Sequence, residues 1–178
     1  MSTERSASRV THLDRHGRAR MVDVGRKRET RRAAVARGEV AMAPATLRLI
    51  TAGAARKGDV LGVAQVAGIA AAKRTWELIP LCHPIPVTGI SVRLTPDPQA
   101  SRVQIEARVR TVGRTGAEME ALVAVAVAGL TVYDMLKAAE RGIRIEHLRV
   151  VRKSGGKSGT YVRGDPPARR SPRAIRRR

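Results

Sequence analysis

The chain has 178 residues and carries 35 Lys and Arg against 15 Asp and Glu, a formal net charge of +20. A hydrophobic fraction of 43% excludes a wholly disordered chain. The single cysteine, Cys82, excludes an intramolecular disulfide framework and a cysteine-rich metal or cluster site. Residues 1–20 are charged throughout and lack the apolar run of a secretory leader. The longest apolar stretch, Ala121 to Tyr133, falls short of the roughly 20 residues of a bilayer span and reads as a buried core helix. The expected organisation is a basic, partly flexible segment 1–20, one α+β domain over 21–162, and an Arg/Pro-rich disordered tail 163–178. No membrane partner and a cytoplasmic location follow as expectations.

In chain order, Met21–Val24 (MVDV) reads as a short extended piece and Val35–Met42 as a strand with weak alternation. Pro44 suits a first helical turn, followed by a short helix over Ala45–Ala52 that Gly53 breaks. A second helix starts near Asp59, a plausible N-cap, and runs to about Trp76. Pro80, Pro84 and Pro86 forbid a helix over 78–86 and predict a rigid extended loop. Ile90, Val92 and Leu94 alternate with polar residues, as do Val103, Ile105, Ala107 and Val109. With PDPQA (96–100) between them, they predict a β-hairpin. Thr115-x-x-Glu118 matches a capping box and opens a long helix to about Arg141, stopped by Gly142. A last strand covers Ile143, Ile145 and Leu148–Val151. The order is βαββαβ, which predicts a ferredoxin-like antiparallel sheet with helices on one face.

Several groups of side chains are chemically suggestive. Asp134 and Lys137 are three apart and share a helix face. They make either an ordinary ion pair or an acid/base pair whose lysine pKa is lowered by burial or neighbours. Glu118 and Glu120 flank Met119 on different faces, and Glu120, at the edge of an apolar run, needs a partner or a pocket. Lys153-Ser-Gly-Gly-Lys157-Ser-Gly is a basic glycine-rich loop suited to phosphate. It is not a Walker A loop, because Val151 stands where the first glycine belongs. Cys82-His83 is held in the proline loop, and His12, His16 and His147 are unclustered in sequence, so no metal site is expected. Residues alone reach a compact α+β domain that binds a phosphorylated anion.

KGDV (57–60), AAKRTWELIPLCHPIPVT (71–88), TVGRTGAEMEAL (111–122), TVYDMLKAAERG (131–142) and KSGGKSG (153–159) stand in this order after MVDV (21–24). Together they resemble the MoaC family of molybdenum cofactor biosynthesis, over roughly residues 10–160. The resemblance implies a ferredoxin-like fold and a homo-oligomer built from dimers, a hexamer as a trimer of dimers, with active sites at the dimer interface. It implies a lyase that turns 3′,8-cyclo-7,8-dihydro-GTP into cyclic pyranopterin monophosphate and pyrophosphate. By the same resemblance Lys57, Asp134 and Lys137 match catalytic positions. Cys82 and His83 match the substrate pocket, Glu118, Met119 and Glu120 its purine end, and Lys73, Arg74, Lys153 and Lys157 hold phosphate. No cofactor is required, though Mg2+ accompanying the triphosphate is compatible with the set. Leu136 departs from the family's frequent Cys, and the Arg-rich tail is extra. The competing reading, a basic ferredoxin-like nucleic-acid-binding protein, calls for aromatics on the sheet for base stacking. The predicted strands lack them, so specific nucleic-acid binding is not expected.

Overall fold

The computed structural model describes residue 13 and residues 16–164. The expected disorder beyond residue 164 lies outside the described residues. Five strands are β1 (Thr30–Ala41), β2 (Val87–Asp97), β3 (Arg102–Gly113), β4 (Arg144–Ser154) and β5 (Tyr161–Val162). Four helices are α1 (Pro44–Thr51), α2 (Val60–Lys73), α3 (Thr75–Leu78) and α4 (Glu118–Leu136). The strands lie in the order β2-β3-β1-β4-β5, every adjacent pair antiparallel. The first four make the predicted ferredoxin-like sheet, and β5 extends it by pairing with the end of β4. MVDV forms no strand.

Alternation decides which face is covered. On β1, Ala34, Ala36 and Val40 are buried, and on β3 Val103, Ile105, Ala107 and Val109 are buried. Both rows face α2 and α4, which pack on each other and on the sheet. At Gly38 any Cβ would sit 2.8 Å from a Val125 methyl, so glycine there sets how closely α4 approaches β1. The core has no Phe and is filled by Val, Ala, Ile and Leu, with Ile105 and Leu136 its largest fully buried side chains. Helix α4 is long and apolar enough to cross a membrane, but Ala121, Ala124, Val125, Ala128 and Val132 are fully buried, as a core helix requires.

The strands run longer than expected, β1 from Thr30 rather than Val35, and three helix ends differ by more than a residue. Helix α2 stops at Lys73 rather than Trp76, because the Thr75 hydroxyl donates to the Ala72 carbonyl and the chain restarts as α3. Helix α4 begins at Glu118, with Ala117 as N-cap and no side-chain cap. The Glu118 carboxylate pairs with Lys153 instead of closing a capping box. The same helix ends at Leu136, not Arg141. Glu140 accepts a hydrogen bond from the Ala43 backbone, and Ile143 must enter the core to start β4, so tertiary contacts override the helix preference of Ala138 and Ala139.

Candidate active site

The catalytic set predicted from sequence converges. Lys57 lies in the loop before α2, whose start Asp59 caps by accepting from the Gly62 backbone. Asp134 and Lys137 sit at the end of α4. Asp134 Oδ2 accepts from Lys57 Nζ at 2.6 Å and Oδ1 pairs with Lys137 Nζ at 2.7 Å. Lys57 Nζ also donates to the Asp134 carbonyl at 3.0 Å. One carboxylate thus bridges two ammonium groups at the surface. The hydrogen bond from Lys137, then that from Lys57, holds the Asp134 carboxyl down to about 2. Asp134 in turn raises the Lys137 pKa. Of the two readings that the spacing left open, a single chain shows the ordinary ion pair: Lys137 is exposed and paired with an anion, so its charged form is favoured.

At the other end of α4 lies a cavity of about 250 Å³ lined by Val22, Val24, Lys27, Leu81, Cys82, His83, Thr115, Gly116, Glu118 and Met119. The proline loop presents His83, whose Nε2 lies 2.8 Å from the Val22 carbonyl. A carbonyl only accepts, so Nε2 carries the proton and Nδ1 is left for another group. MVDV therefore acts as a wall and a histidine anchor. Glu120 is 2% exposed and stands behind Cys82 rather than on the wall. Its Oε1 lies 3.8 Å from Cys82 Sγ, and its Oε2 has no hydrogen-bond partner among the described residues. Burial first, with the Glu118 charge adding to it, pushes the Glu120 carboxyl up. Burial and the Glu120 charge push the Cys82 thiol up to about 11. At pH 8, iodoacetamide should therefore label Cys82 about 100-fold more slowly in the native than in the urea-unfolded chain, from thiolate fraction alone. Equal rates, read by mass spectrometry, would contradict that environment.

Beside this cavity the glycine-rich loop forms a cationic cradle. Lys27, Arg28, Thr30, Arg32, Gly156, Lys157 and Ser158 line a cavity of about 470 Å³, and Lys27 lines both cavities. Gly155 and Gly156 have φ of +92° and +72°. A Cβ on Gly155 would meet the Arg31 carbonyl at 2.2 Å, and one on Gly156 would meet the Arg32 guanidinium. Lys153 bonds Glu118 Oε1 at 3.1 Å, tying this loop to the start of α4. Sequence reasoning missed Lys27 and Arg32. Their only signal was the run of five cations over residues 26–32, close behind MVDV. Lys73 and Arg74 do not join the cradle: they line none of the described cavities, and Arg74 is paired with Glu77.

The two halves are far apart. From Glu118 to Asp134 along α4 is about 24 Å at 1.5 Å per residue. Within one chain, the lysine–aspartate cluster and the cavity at His83 therefore do not face each other. Elsewhere, Glu39, Glu146 and His147 converge on the open side of the sheet, but Arg102 and Arg144 already occupy the two carboxylates.

The MoaC family profile matches residues 21–156. The chain is 64% identical over 156 residues to the cyclic pyranopterin monophosphate synthase of Pelotomaculum thermopropionicum, covering 88% of this chain and 92% of that protein. It is 61% identical over 160 residues to the protein of the same name from Thermomicrobium roseum, covering 90% and 96%. It is also 61% identical over 155 residues to that of a Roseiflexus species, covering 87% and 98%. With a family profile matched over most of the chain and relatives at 61–64% identity over about nine tenths of it, the chain belongs to the MoaC family.

Proposed function

We propose that this chain converts 3′,8-cyclo-7,8-dihydro-GTP into cyclic pyranopterin monophosphate and pyrophosphate, in molybdenum cofactor biosynthesis in the cytoplasm. The observation that carries the reading is the Asp134 carboxylate bridging Lys57 and Lys137, in a chain whose relatives are named for this product. Making a cyclic monophosphate from a triphosphate requires an internal hydroxyl to attack the α-phosphorus. The new P–O bond forms as the bond to the β-phosphate breaks, and pyrophosphate leaves with that electron pair. The hydroxyl proton passes to a base, and cations stabilise the leaving group. Lys27, Arg32, Lys153 and Lys157 supply those cations at one end of the chain. His83, Glu118 and Met119 hold the ring system beside them. Lys57 and Lys137 are the proton-transfer groups, with Asp134 orienting both. Any Mg2+ arrives with the triphosphate rather than in a site of its own.

A group that transfers a proton must come within about 3 Å of the reacting atom. A separation of about 24 Å therefore calls for a second copy, whose Lys57–Asp134–Lys137 end meets the His83 end of the first. The outer surface of the helix layer suits such an interface, because Val63 and Val66 of α2 and Leu130 of α4 are all exposed there. An isologous pairing with the two α4 helices antiparallel brings opposite helix ends together twice, giving two sites per dimer. The basic cradle of the second copy, brought near Lys137, lowers that lysine's pKa and fits it for the base role it lacks in a single chain.

The test is turnover of 3′,8-cyclo-7,8-dihydro-GTP by the full chain, with pyrophosphate and pterin followed together. Release of both in step supports the reading. Tight binding without product, or neither binding nor product, sinks it.

A further inference from the structure

The sheet face opposite the helices is also informative. Residues on β1 and β3 that alternate with the buried ones face this side: Arg37 and Glu39 on β1, Arg102, Gln104, Glu106, Arg108 and Arg110 on β3. The strand register aligns them in rows across the sheet. Arg93, Glu106, Arg37 and Arg149 make one row, and Ser91, Arg108, Val35 and Arg152 make the next. The single carboxylate in these two rows, Glu106, is already taken by Arg37 at 2.7 Å. The side chains of Arg93, Arg108, Arg110 and Arg152 are exposed and have no hydrogen-bond or ion-pair partner among the described residues. The face is concave over Arg37, Arg93, Arg102 and Arg149, around a cavity of about 380 Å³.

We propose that this arginine face binds the phosphate backbone of a single-stranded nucleic acid, without regard to sequence. Four guanidiniums uncompensated on one surface call for an anionic occupant. Planar, bidentate guanidinium donors match phosphate oxygens. Alternate residues along a strand lie about 6.8 Å apart and neighbouring strands about 4.8 Å apart, so several arginines can hold successive phosphates of one chain. No Phe, Tyr or Trp is present on β1 to β4 to form a base-stacking platform, so the contact is chiefly with the backbone. The face belongs to the opposite layer from Lys57, Asp134 and Lys137, so the inference is independent of the proposed reaction.

The test is fluorescence anisotropy of a labelled oligo-deoxythymidine strand with the full chain, between 50 and 200 mM NaCl. The comparison is the triple variant Arg93→Gln, Arg108→Gln, Arg152→Gln. Losing three single-strand phosphate contacts should lower the slope of log affinity against log salt by about 2. Affinity at the lowest salt should fall by at least about 10-fold. The corresponding triple lysine variant should keep the slope, and circular dichroism should report the same fold in all three proteins. An unchanged slope in the glutamine variant would place binding on the basic terminal segments and overturn the proposal. So would a wild-type chain that leaves the strand free, or one from which poly-glutamate displaces the strand as readily as unlabelled strand does.

Discussion

Lys137→Ala should lower the rate of pyrophosphate and pterin formation by about 10³-fold, the scale of a lost proton-transfer group, while the far-ultraviolet circular dichroism and the assembly state stay those of the wild type. The side chain is exposed and pairs with Asp134, itself exposed, so its removal leaves no buried group unpaired. Lys57→Ala should act alike, since Lys57 holds the other oxygen of the same carboxylate. Asp134→Asn separates positioning from charge. It keeps the shape but loses the anion that holds both ammonium groups, so turnover should fall while substrate binding improves or stays level. A Lys137→Ala protein with near-normal turnover would remove Lys137 from the chemistry.

The second large effect is on stability. Ile105→Ala should destabilise the fold by about 3 kcal/mol, within the range for large-to-small changes in a rigid core, and lower Tm by about 10 °C at fixed protein concentration. Ile105 is 1% exposed at the centre of β3, beneath the helices. With no Phe in the chain, few side chains are large enough to collapse into the space it leaves. The same change on the opposite face, Gln104→Ala, should move Tm little, because Gln104 is exposed. Equal shifts for the two variants in a thermal melt would contradict the assignment of faces.

Much of this fold was legible in the sequence because its periods are clean. The alternation at Ile90–Leu94 and Val103–Val109 specified the hairpin and its buried face, and Asp59 marked the start of α2. The ends of α4 were not legible. Thr115 and Glu118 offered a local capping box, but Glu118 spends its carboxylate on Lys153, a partner 35 positions away that local pattern does not report. Ala138 and Ala139 favour continued helix, and only the need to bury Ile143 turns the chain. The site was legible in parts. Asp134 and Lys137 are joined by helix spacing, whereas Lys57, in a distant loop, is joined to them in sequence only by family resemblance and in space by the ion pair. Lys27 and Arg32 lie in a loop and at the start of β1, where no periodicity marks them, and convergence on Lys157 is a property of the folded chain. Glu120 was recognised as needing a pocket or partner, but that it lies behind Cys82 follows from how the proline loop packs.

The most direct measurement of the central claim is complementation between two disabled chains. His83→Ala damages the cavity end and Lys137→Ala the lysine–aspartate end, and each alone should be nearly inactive. Co-assembled in equal amounts, the two should recover about one quarter of wild-type turnover, because half of the dimers are mixed and each mixed dimer holds one intact site of two. A mixture as inactive as its parents, with both variants assembling as the wild type does, would contradict a site shared between two copies.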